Sequence, residues 1–301
     1  MDRAAGRRGW CGAGDAVEVF RYGPHFGEEP PLSGTRGSGT IFFSRCTLRC
    51  LYCQNHPWSQ EGAGACCDAD GLDDIFRQLA DLGCHNWNLV SPTPWLPWIW
   101  ASLDRLAVMG VRRPVVYNTS GYECQATLQG CVGRVAVYLT DLRYAEAASA
   151  SAASEADDYV DMARAALLEM VRQTGPLALD ADGLAVRGTI ARVLILPGRA
   201  AEAVASLRWL RANAPDAVAS VMAQYMPAHR AAACGAPWNR GVTQAEYDMV
   251  AEAVADLDFE SGWMQEFGGA PPADDLVGFR MPPGAAAVGQ KVDVGKLQAN
   301  G

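Results

Sequence analysis

The hydrophobic and polar positions of this chain alternate between two patterns from residue 39 onward. Short apolar and β-branched runs have the length of buried strands, and between them apolar residues recur every three or four positions, as on one face of a helix. The short runs predict strands at residues 40–44, 87–91, 114–118, 134–140, 189–196 and 217–225. The periodic stretches predict helices at residues 72–82, 96–109, 122–129, 155–173, 200–212 and 244–257. The last helix also has a start signal, because Thr243 can cap it and Glu246 follows three residues later.

Strands that alternate with helices are typical of a parallel sheet. Six βα units are fewer than the eight of a closed barrel, so we predict an α/β fold with a partial (β/α)6 barrel. A doubly wound open sheet is the alternative. The barrel is expected at residues 39–258, between an N-terminal extension at 1–38 and a C-terminal tail at 259–301. Residues 144–154, rich in Ala and Ser, are expected to form a loop, and the stretch after Pro271 a wrapping or disordered end.

Composition narrows the class of protein. The 301 residues are 50% hydrophobic and 20% charged, enough for one large core. The formal net charge of -9 disfavours binding to nucleic acid or to an anionic membrane, because both usually need a basic face. No apolar run approaches the roughly 20 residues of a membrane span, and the first ten residues lack the hydrophobic stretch of a secretory signal. We therefore expect a cytoplasmic protein that binds neither nucleic acid nor a membrane.

The ten cysteines are too few for a disulfide scaffold in a chain of this length. Four stand singly among apolar or small neighbours and are expected to be packing residues: Cys84, Cys124, Cys131 and Cys234. The pair Cys66 and Cys67 lies in a Gly- and Ala-rich stretch that predicts a loop. Only Cys46, Cys50 and Cys53 have the spacing of metal ligands.

These three cysteines follow the first predicted strand in the segment Cys46-Thr-Leu-Arg-Cys50-Leu-Tyr-Cys53. One loop of this length can wrap a four-iron, four-sulfur cubane and ligate three of its irons with thiolates, which leaves one iron open for a small ligand. A zinc site with His56 as fourth ligand is an alternative. A structural zinc ion would add little stability, however, to a chain that already has a large core. Three reactive or regulatory thiols without a metal are another.

Polar residues at strand ends are further candidates, because functional residues of parallel α/β folds collect at the carboxyl edge of the sheet. Asn118 and Ser120 end the third strand, where short polar groups can bind a ribose or a carboxylate, or merely cap a turn. Arg143 follows the fourth strand and can hold a carboxylate with two parallel hydrogen bonds, or simply pair with Asp141. Arg192, inside the fifth strand, is expected to face a polar barrel interior, because an unpaired buried guanidinium would be costly.

The cysteine spacing, with an aromatic residue just before the last cysteine, resembles the cluster loop of radical S-adenosylmethionine (SAM) enzymes. The similarity covers residues 12–266 and is to the subgroup related to pyruvate formate-lyase activating enzyme. Beyond the loop it is carried by Gly34-Thr-Arg-Gly-Ser-Gly-Thr-Ile-Phe-Phe-Ser44, Gln54-Asn55, Asn88-Leu-Val-Ser-Pro-Thr93, Tyr117-Asn-Thr-Ser-Gly-Tyr-Glu123, Tyr138-Leu-Thr-Asp-Leu-Arg-Tyr144, Leu196-Pro-Gly198 and Gln224-Tyr-Met-Pro227.

The resemblance implies an enzyme that binds a [4Fe-4S] cluster and SAM. The open iron would hold the amino and carboxylate groups of SAM. One electron, from a donor such as flavodoxin or ferredoxin, would cleave SAM to methionine and a 5'-deoxyadenosyl radical, which takes a hydrogen atom from the substrate. It implies that the cluster ligands are Cys46, Cys50 and Cys53, and that the cofactor contacts come from Tyr52, Ser91, Thr93, Asn118, Ser120 and Arg143, with Tyr52 against the adenine.

The chain departs from the family pattern in two places. Ser91-Pro92-Thr93 stands where many members have a Gly-Gly-Glu type of segment that holds the methionine amine, so this contact would come from backbone carbonyls or from Thr93. The subgroup pattern also begins with a further Cys-rich segment before Gly12. Cys11 would be a remnant of it, as expected if the start of the chain is placed too late.

Three functions therefore compete. The first is an activating-enzyme-like oxidoreductase or lyase that abstracts hydrogen from a glycyl residue of a partner enzyme. The second is a radical SAM enzyme that acts on a small metabolite or natural product, and the third is a non-catalytic metal-binding or redox-sensing protein. After Cys131 the sequence contains only Cys234, so an auxiliary cluster of the Cys-rich C-terminal type is not expected.

Overall fold

A ten-stranded mixed sheet organises the chain in the computed structural model, which describes residue 3 and residues 5–268. Its strands are β1 (Val17–His25), β2 (Ser38–Phe43), β3 (Ala65–Cys67), β4 (Trp87–Val90), β5 (Val115–Thr119), β6 (Val137–Asp141), β7 (Ala178–Leu179), β8 (Ala185–Leu194), β9 (Val218–Met222) and β10 (Gly262–Met264). The α-helices are α1 (Pro30–Ser33), α2 (His56–Ser59), α3 (Ala69–Asp81), α4 (Leu96–Val108), α5 (Gln125–Gln129), α6 (Ala147–Ser154), α7 (Tyr159–Thr174), α8 (Ala200–Asn213) and α9 (Gln244–Asp256).

Six parallel strands form the centre of the sheet in the order β2-β4-β5-β6-β8-β9. They lie at the six predicted positions, and the six predicted helices correspond to α3, α4, α5, α7, α8 and α9. All six residues of β2 are buried, as expected for a parallel strand that is covered on both faces. The capping box of α9 is also present, since Thr243 and Glu246 exchange hydrogen bonds. The predicted α/β fold class is confirmed.

The segment before the first parallel strand packs at the amino edge of the sheet. Strand β1 pairs antiparallel with β2, so the chain returns to the amino edge of the sheet before β2 begins. There α1 places Leu32, which is fully buried, against Val116, Val137, Leu139 and Ile190 of the parallel strands. Side chains alternate along a strand, so Asn118, Asp141 and Arg192 share a face with these apolar residues. The apolar layer therefore lies beneath polar residues that face the carboxyl edge.

Two local predictions were wrong. Residues 147–154 form the helix α6, where a loop was expected, because Ala has the highest helix propensity and its small side chains let Ala150 and Ala153 pack into the core. Cys66 and Cys67 belong to β3 rather than to a loop, since their backbone pairs with β1. A short edge strand in a Gly- and Ala-rich stretch has too little periodicity to be recognised.

Strands also occur in both segments that were assigned outside the barrel. β1 lies within residues 1–38, and β10 lies within 259–301, where it pairs parallel with β9. The proposed domain boundaries stay a prediction, and the end after Pro271 lies outside the described residues. In the described part of the chain, no helix has the length and apolarity needed to cross a membrane.

Candidate functional site

The loop that carries the three cysteines follows β2 at the carboxyl edge of the sheet. Its backbone is fixed by segments that are distant in sequence, because Leu51 donates to the carbonyl of Ala153 in α6 (2.8 Å) and accepts from the amide of Ala231 (2.9 Å). Arg45, just before the first cysteine, has a φ of 77° and turns the chain out of the strand. The loop is thus held against its neighbours by main-chain contacts.

The three thiols line one cavity of about 380 Å³. The Cys50 sulfur accepts hydrogen bonds from Ser154 Oγ (2.9 Å) and from Arg143 Nη1 (3.2 Å). The Cys53 sulfur lies 3.2 Å from Ser59 Oγ, and the Cys46 sulfur accepts from the amide of Leu48 at 3.5 Å. Hydrogen bonds of this kind stabilise thiolates, so the loop is suited to soft, thiolate-binding metal centres.

A zinc site with His56 as fourth ligand would need the three thiols and this imidazole to lie close together. With Zn–S bonds of about 2.3 Å, ligand sulfurs lie roughly 3.8 Å apart. Among the described residues, the group of at least three possible ligands with all donor atoms within 4.8 Å of one another is His56, Glu61 and His229, and no cysteine belongs to it. The Nδ1 of His56 instead contacts Glu61 at 2.9 Å. In this arrangement His56 therefore does not join the three cysteines as a fourth ligand.

Burial disfavours the thiolate forms of Cys46 and Cys53 in the metal-free protein. It raises the pKa of Cys46 to about 12. Burial also raises the pKa of Cys53, with a further contribution from the neighbouring Cys50. Arg143 opposes both shifts through its positive charge. Assembly of a thiolate-bound cluster must therefore release protons from this loop.

Five of the six predicted cofactor-binding residues line the same cavity as the thiols: Tyr52, Ser91, Asn118, Ser120 and Arg143. Thr93 does not line it. Its hydroxyl lies 3.0 Å from the Tyr117 hydroxyl and donates to Glu123 Oε1 at 2.5 Å. The carboxyl-edge rule thus brings the predicted residues together, although their role in binding stays a prediction.

Arg143 forms the ion pair with Asp141 that the sequence analysis gave as one of two alternatives. Its Nε donates to Asp141 Oδ2 at 3.0 Å and its Nη2 donates to the same oxygen, while Nη1 reaches the Cys50 sulfur. The ion pair with Asp141 therefore exists, but it leaves the guanidinium at the cavity wall. One positive charge is held next to a thiol.

Tyr52 belongs to an aromatic wall of the cavity. Its ring stacks on Trp238 with centroids 5.9 Å apart and lies 5.6 Å from the ring of Tyr225. Its hydroxyl lies 2.7 Å from the Tyr144 hydroxyl. These contacts hold the ring in place and make this side of the cavity apolar.

A buried ion triad forms the floor of the cavity and was missed by sequence reasoning. Arg192 donates to both carboxylate oxygens of Glu29 and to Glu28, which also accepts from Asn88 at 2.8 Å and from Asn118 at 3.5 Å. The acidic pair Glu28-Glu29 before a proline was a visible signal, but nothing in the sequence linked it to Arg192. The triad confirms that Arg192 lies in polar surroundings.

Glu123 was also missed. It is buried beneath the end of β5, where Thr93 and Thr119 donate to its Oε1 at 2.5 and 2.6 Å. Burial raises its pKa to about 7, although the hydrogen bonds from Thr119, Thr93 and Tyr117 counteract part of this shift. A lone glutamate after a strand gives no sign of such burial.

Comparison with known proteins adds to this geometry. No family model matches the chain. The uncharacterized protein MJ0674 of Methanocaldococcus jannaschii is 26% identical over 231 residues, which cover 74% of this chain and 63% of that protein. The chain thus spans less than two thirds of this relative's length.

Two solved structures of Streptococcus suis SuiB are also similar. SuiB bound to the precursor peptide SuiA has a TM-score of 0.50 and 12% identity, and the match covers 73% of this chain and 46% of SuiB. SuiB bound to S-adenosylmethionine has a TM-score of 0.48 and 10% identity, covering 73% of this chain and 48% of SuiB. The chain thus spans about half the length of SuiB, with which it shares the α/β fold.

Proposed function

We propose that this chain is a radical SAM enzyme that binds a [4Fe-4S] cluster through Cys46, Cys50 and Cys53 and SAM in the adjoining cavity. One observation carries the proposal. Three thiols from one short loop line the same cavity as the polar residues at the ends of three parallel strands. When bound, the cluster and SAM would supply a radical able to abstract hydrogen from a substrate.

The residues around the cavity have tasks that fit this chemistry. Arg143 places a positive charge beside Cys50, where it stabilises the negative charge of a thiolate-bound cluster, and Asp141 fixes its orientation. The guanidinium is also placed to bind the carboxylate of SAM. Tyr52 and Tyr225 line the aromatic wall, and Trp238 stacks against Tyr52, so this side of the cavity would help to exclude water from a reactive site.

Anaerobic reconstitution tests the proposal. The protein should bind about four irons and four sulfides per chain, and reduction with dithionite in the presence of SAM should release 5'-deoxyadenosine. Cys50→Ala should lose both the cluster and this product. Cys66→Ala is the matched control, since its thiol is exposed and absent from the cavity wall, and it should keep both. Retention of zinc without iron would support a non-catalytic metal-binding protein instead.

We propose further that the substrate is a protein or peptide segment, with a glycyl residue of a partner enzyme as the leading case. The resemblance to the pyruvate formate-lyase activating subgroup supports this choice, and so does the structure of SuiB with a precursor peptide. The enzyme would be an oxidoreductase or lyase that works in the cytoplasm and receives its electron from a flavodoxin or ferredoxin. An EPR-detectable glycyl radical on a candidate partner would support this substrate class, whereas turnover of a small metabolite alone would contradict it.

A further inference from the structure

Two imidazoles and a carboxylate converge beside the cluster loop, outside the cavity described above. One ring nitrogen of His56, one of His229 and a carboxylate oxygen of Glu61 all lie within 4.8 Å of one another. The two rings stack with centroids 4.3 Å apart and an interplanar angle of 19°, and His56 Nδ1 lies 2.9 Å from Glu61 Oε1. We call this group the His–Glu–His site.

The three side chains come from segments that the backbone holds together. His56 begins α2, directly after the cysteine loop, and the amide of Glu61 donates to its carbonyl at 3.0 Å. His229 begins the short 3-10 helix that follows β9, with a φ of 50°. This helix is tied to the cysteine loop because Ala231 donates to Leu51 and Arg230 Nη2 donates to the Arg49 carbonyl at 2.5 Å. These contacts hold the two segments that carry the donors close together.

We propose that the His–Glu–His site binds one divalent transition-metal ion, with Zn²⁺ as the best-suited ion. Two imidazole nitrogens and one carboxylate oxygen are a common ligand set for zinc, whose fourth position can take water at an exposed site. With metal–ligand bonds of about 2.0 Å, ligand atoms lie roughly 3.3 Å apart. Side-chain rotations that move the donor atoms by about an ångström or two would bring them to this separation. The two histidines are partly exposed, so their side chains have room to rotate.

Occupation of this site would connect two parts of the cavity wall. His56 follows Cys53 by three residues, and His229 follows Gln224, Tyr225 and Met226, which line the cavity. A metal ion that bridges them would fix the segment after β9 to the cysteine loop. The proposed ion would thus stabilise the cavity wall from outside and would not lie in the cavity itself.

The alternative is a hydrogen bond between His56 and Glu61 with a stacked His229 and no metal. Measurement of the Zn²⁺ bound per chain distinguishes the metal site from this metal-free alternative. The full-length Cys46→Ala/Cys50→Ala/Cys53→Ala variant, which has no cluster ligands, should bind one Zn²⁺ per chain when Zn²⁺ alone is added. Because this variant lacks the cluster site, the result does not depend on whether the proposed enzyme function is correct. Co²⁺ should give a visible spectrum of nitrogen and oxygen ligation without thiolate charge-transfer bands.

Matched variants of this same protein locate the ion. Glu61→Gln and His229→Ala should weaken Zn²⁺ binding at least tenfold, since even the loss of a residue that supports a ligand costs that much. Glu252→Gln, at an exposed position of α9, and His85→Ala should leave the affinity unchanged. Glu61 is exposed, so its variant is expected to fold. Equal affinity in Glu61→Gln, His229→Ala and the parent, or no Zn²⁺ bound in the parent, would overturn the proposal.

Discussion

Arg143 Nη1 lies 3.2 Å from the Cys50 sulfur, so one guanidinium links a proposed cluster ligand to the carboxylate at the end of β6. The two residues are 93 positions apart in the sequence. Burial of such a charge is favourable only with partners, and Asp141 supplies one. Arg143 can therefore influence both the cluster and any anionic group bound in the cavity.

Removal of the Arg143 charge should weaken SAM binding. We expect Arg143→Ala to lower the affinity roughly ten- to a hundredfold, because a charge-assisted contact to a carboxylate contributes about 1.5 to 3 kcal/mol. Arg143→Lys should recover only part of it, since an ammonium cannot reproduce the planar fork. Titration of the reconstituted protein, followed by the EPR shift of the reduced cluster, measures this. Unchanged SAM affinity together with full iron content would mean that Arg143 pairs with Asp141 and does not contact SAM.

Asn118 provides a neutral comparison at the same edge of the sheet. Its amide lies 3.5 Å from Glu28 Oε1, so it contacts the cavity floor as well as the cavity. Asn118→Ala should weaken SAM binding less than Arg143→Ala, because a neutral hydrogen bond contributes only about 0.5 to 1.5 kcal/mol. Iron content should stay the same, since Asn118 is not a proposed ligand. A larger loss than in Arg143→Ala would reverse the proposed division of roles.

The sequence was informative where a single local rule decides the outcome. Hydrophobic periodicity located six strands and six helices, and the spacing of three cysteines located the loop at the cavity. The ion triad could not be predicted, because Arg192 and Glu29 are 163 residues apart and tertiary packing alone brings them together. The same holds for Glu123, whose burial depends on packing beneath β5. Side-chain partners set by tertiary contacts leave no periodic signal.

The triad makes a strong prediction for stability. Arg192→Ala would leave Glu28 and Glu29 buried without their counter-charge, and the loss of one partner of a buried ion pair costs about 3 to 5 kcal/mol. Urea unfolding should show a loss of this size. Arg134→Ala is the control, because its pair with Asp104 is exposed and should contribute at most about 1 kcal/mol. Similar losses in the two variants would mean that the triad is solvated in solution.

Gly121 and Gly110 have the same backbone conformation, but a side chain would collide with a neighbour only at Gly121. Gly121 and Gly110 have φ values of +81° and +80°, so alanine is strained at both. A Cβ at Gly121 would lie 2.3 Å from the Asp141 carbonyl oxygen, whereas one at Gly110 meets nothing within 4 Å. Gly121→Ala should therefore be less stable than Gly110→Ala by roughly 1 to 3 kcal/mol and should also lose SAM affinity. Equal thermal stability of the two variants would argue against this close packing at the site.

Glu123 should make the stability of the protein depend on pH near neutrality. Burial raises the pKa of its carboxyl to about 7, above its usual value in an unfolded chain, so the folded state binds the extra proton. This contribution is fully present below about pH 4.5 and is lost as the pH rises through 7. Glu123→Gln keeps an uncharged, hydrogen-bonding side chain at every pH and should remove this dependence.

The test therefore compares how the unfolding free energy of wild type and of Glu123→Gln changes with pH, rather than their values at one pH. From pH 5 to pH 8 the wild-type protein should lose roughly 2 to 4 kcal/mol of unfolding free energy relative to Glu123→Gln, as a shift of about two or three pKa units requires. Urea unfolding at several pH values measures the difference, and Glu252→Gln on exposed α9 is the control that should track wild type. Parallel wild-type and Glu123→Gln curves would mean that Glu123 ionises freely, and that the hydroxyls of Thr93 and Thr119 stabilise a carboxylate rather than a carboxylic acid.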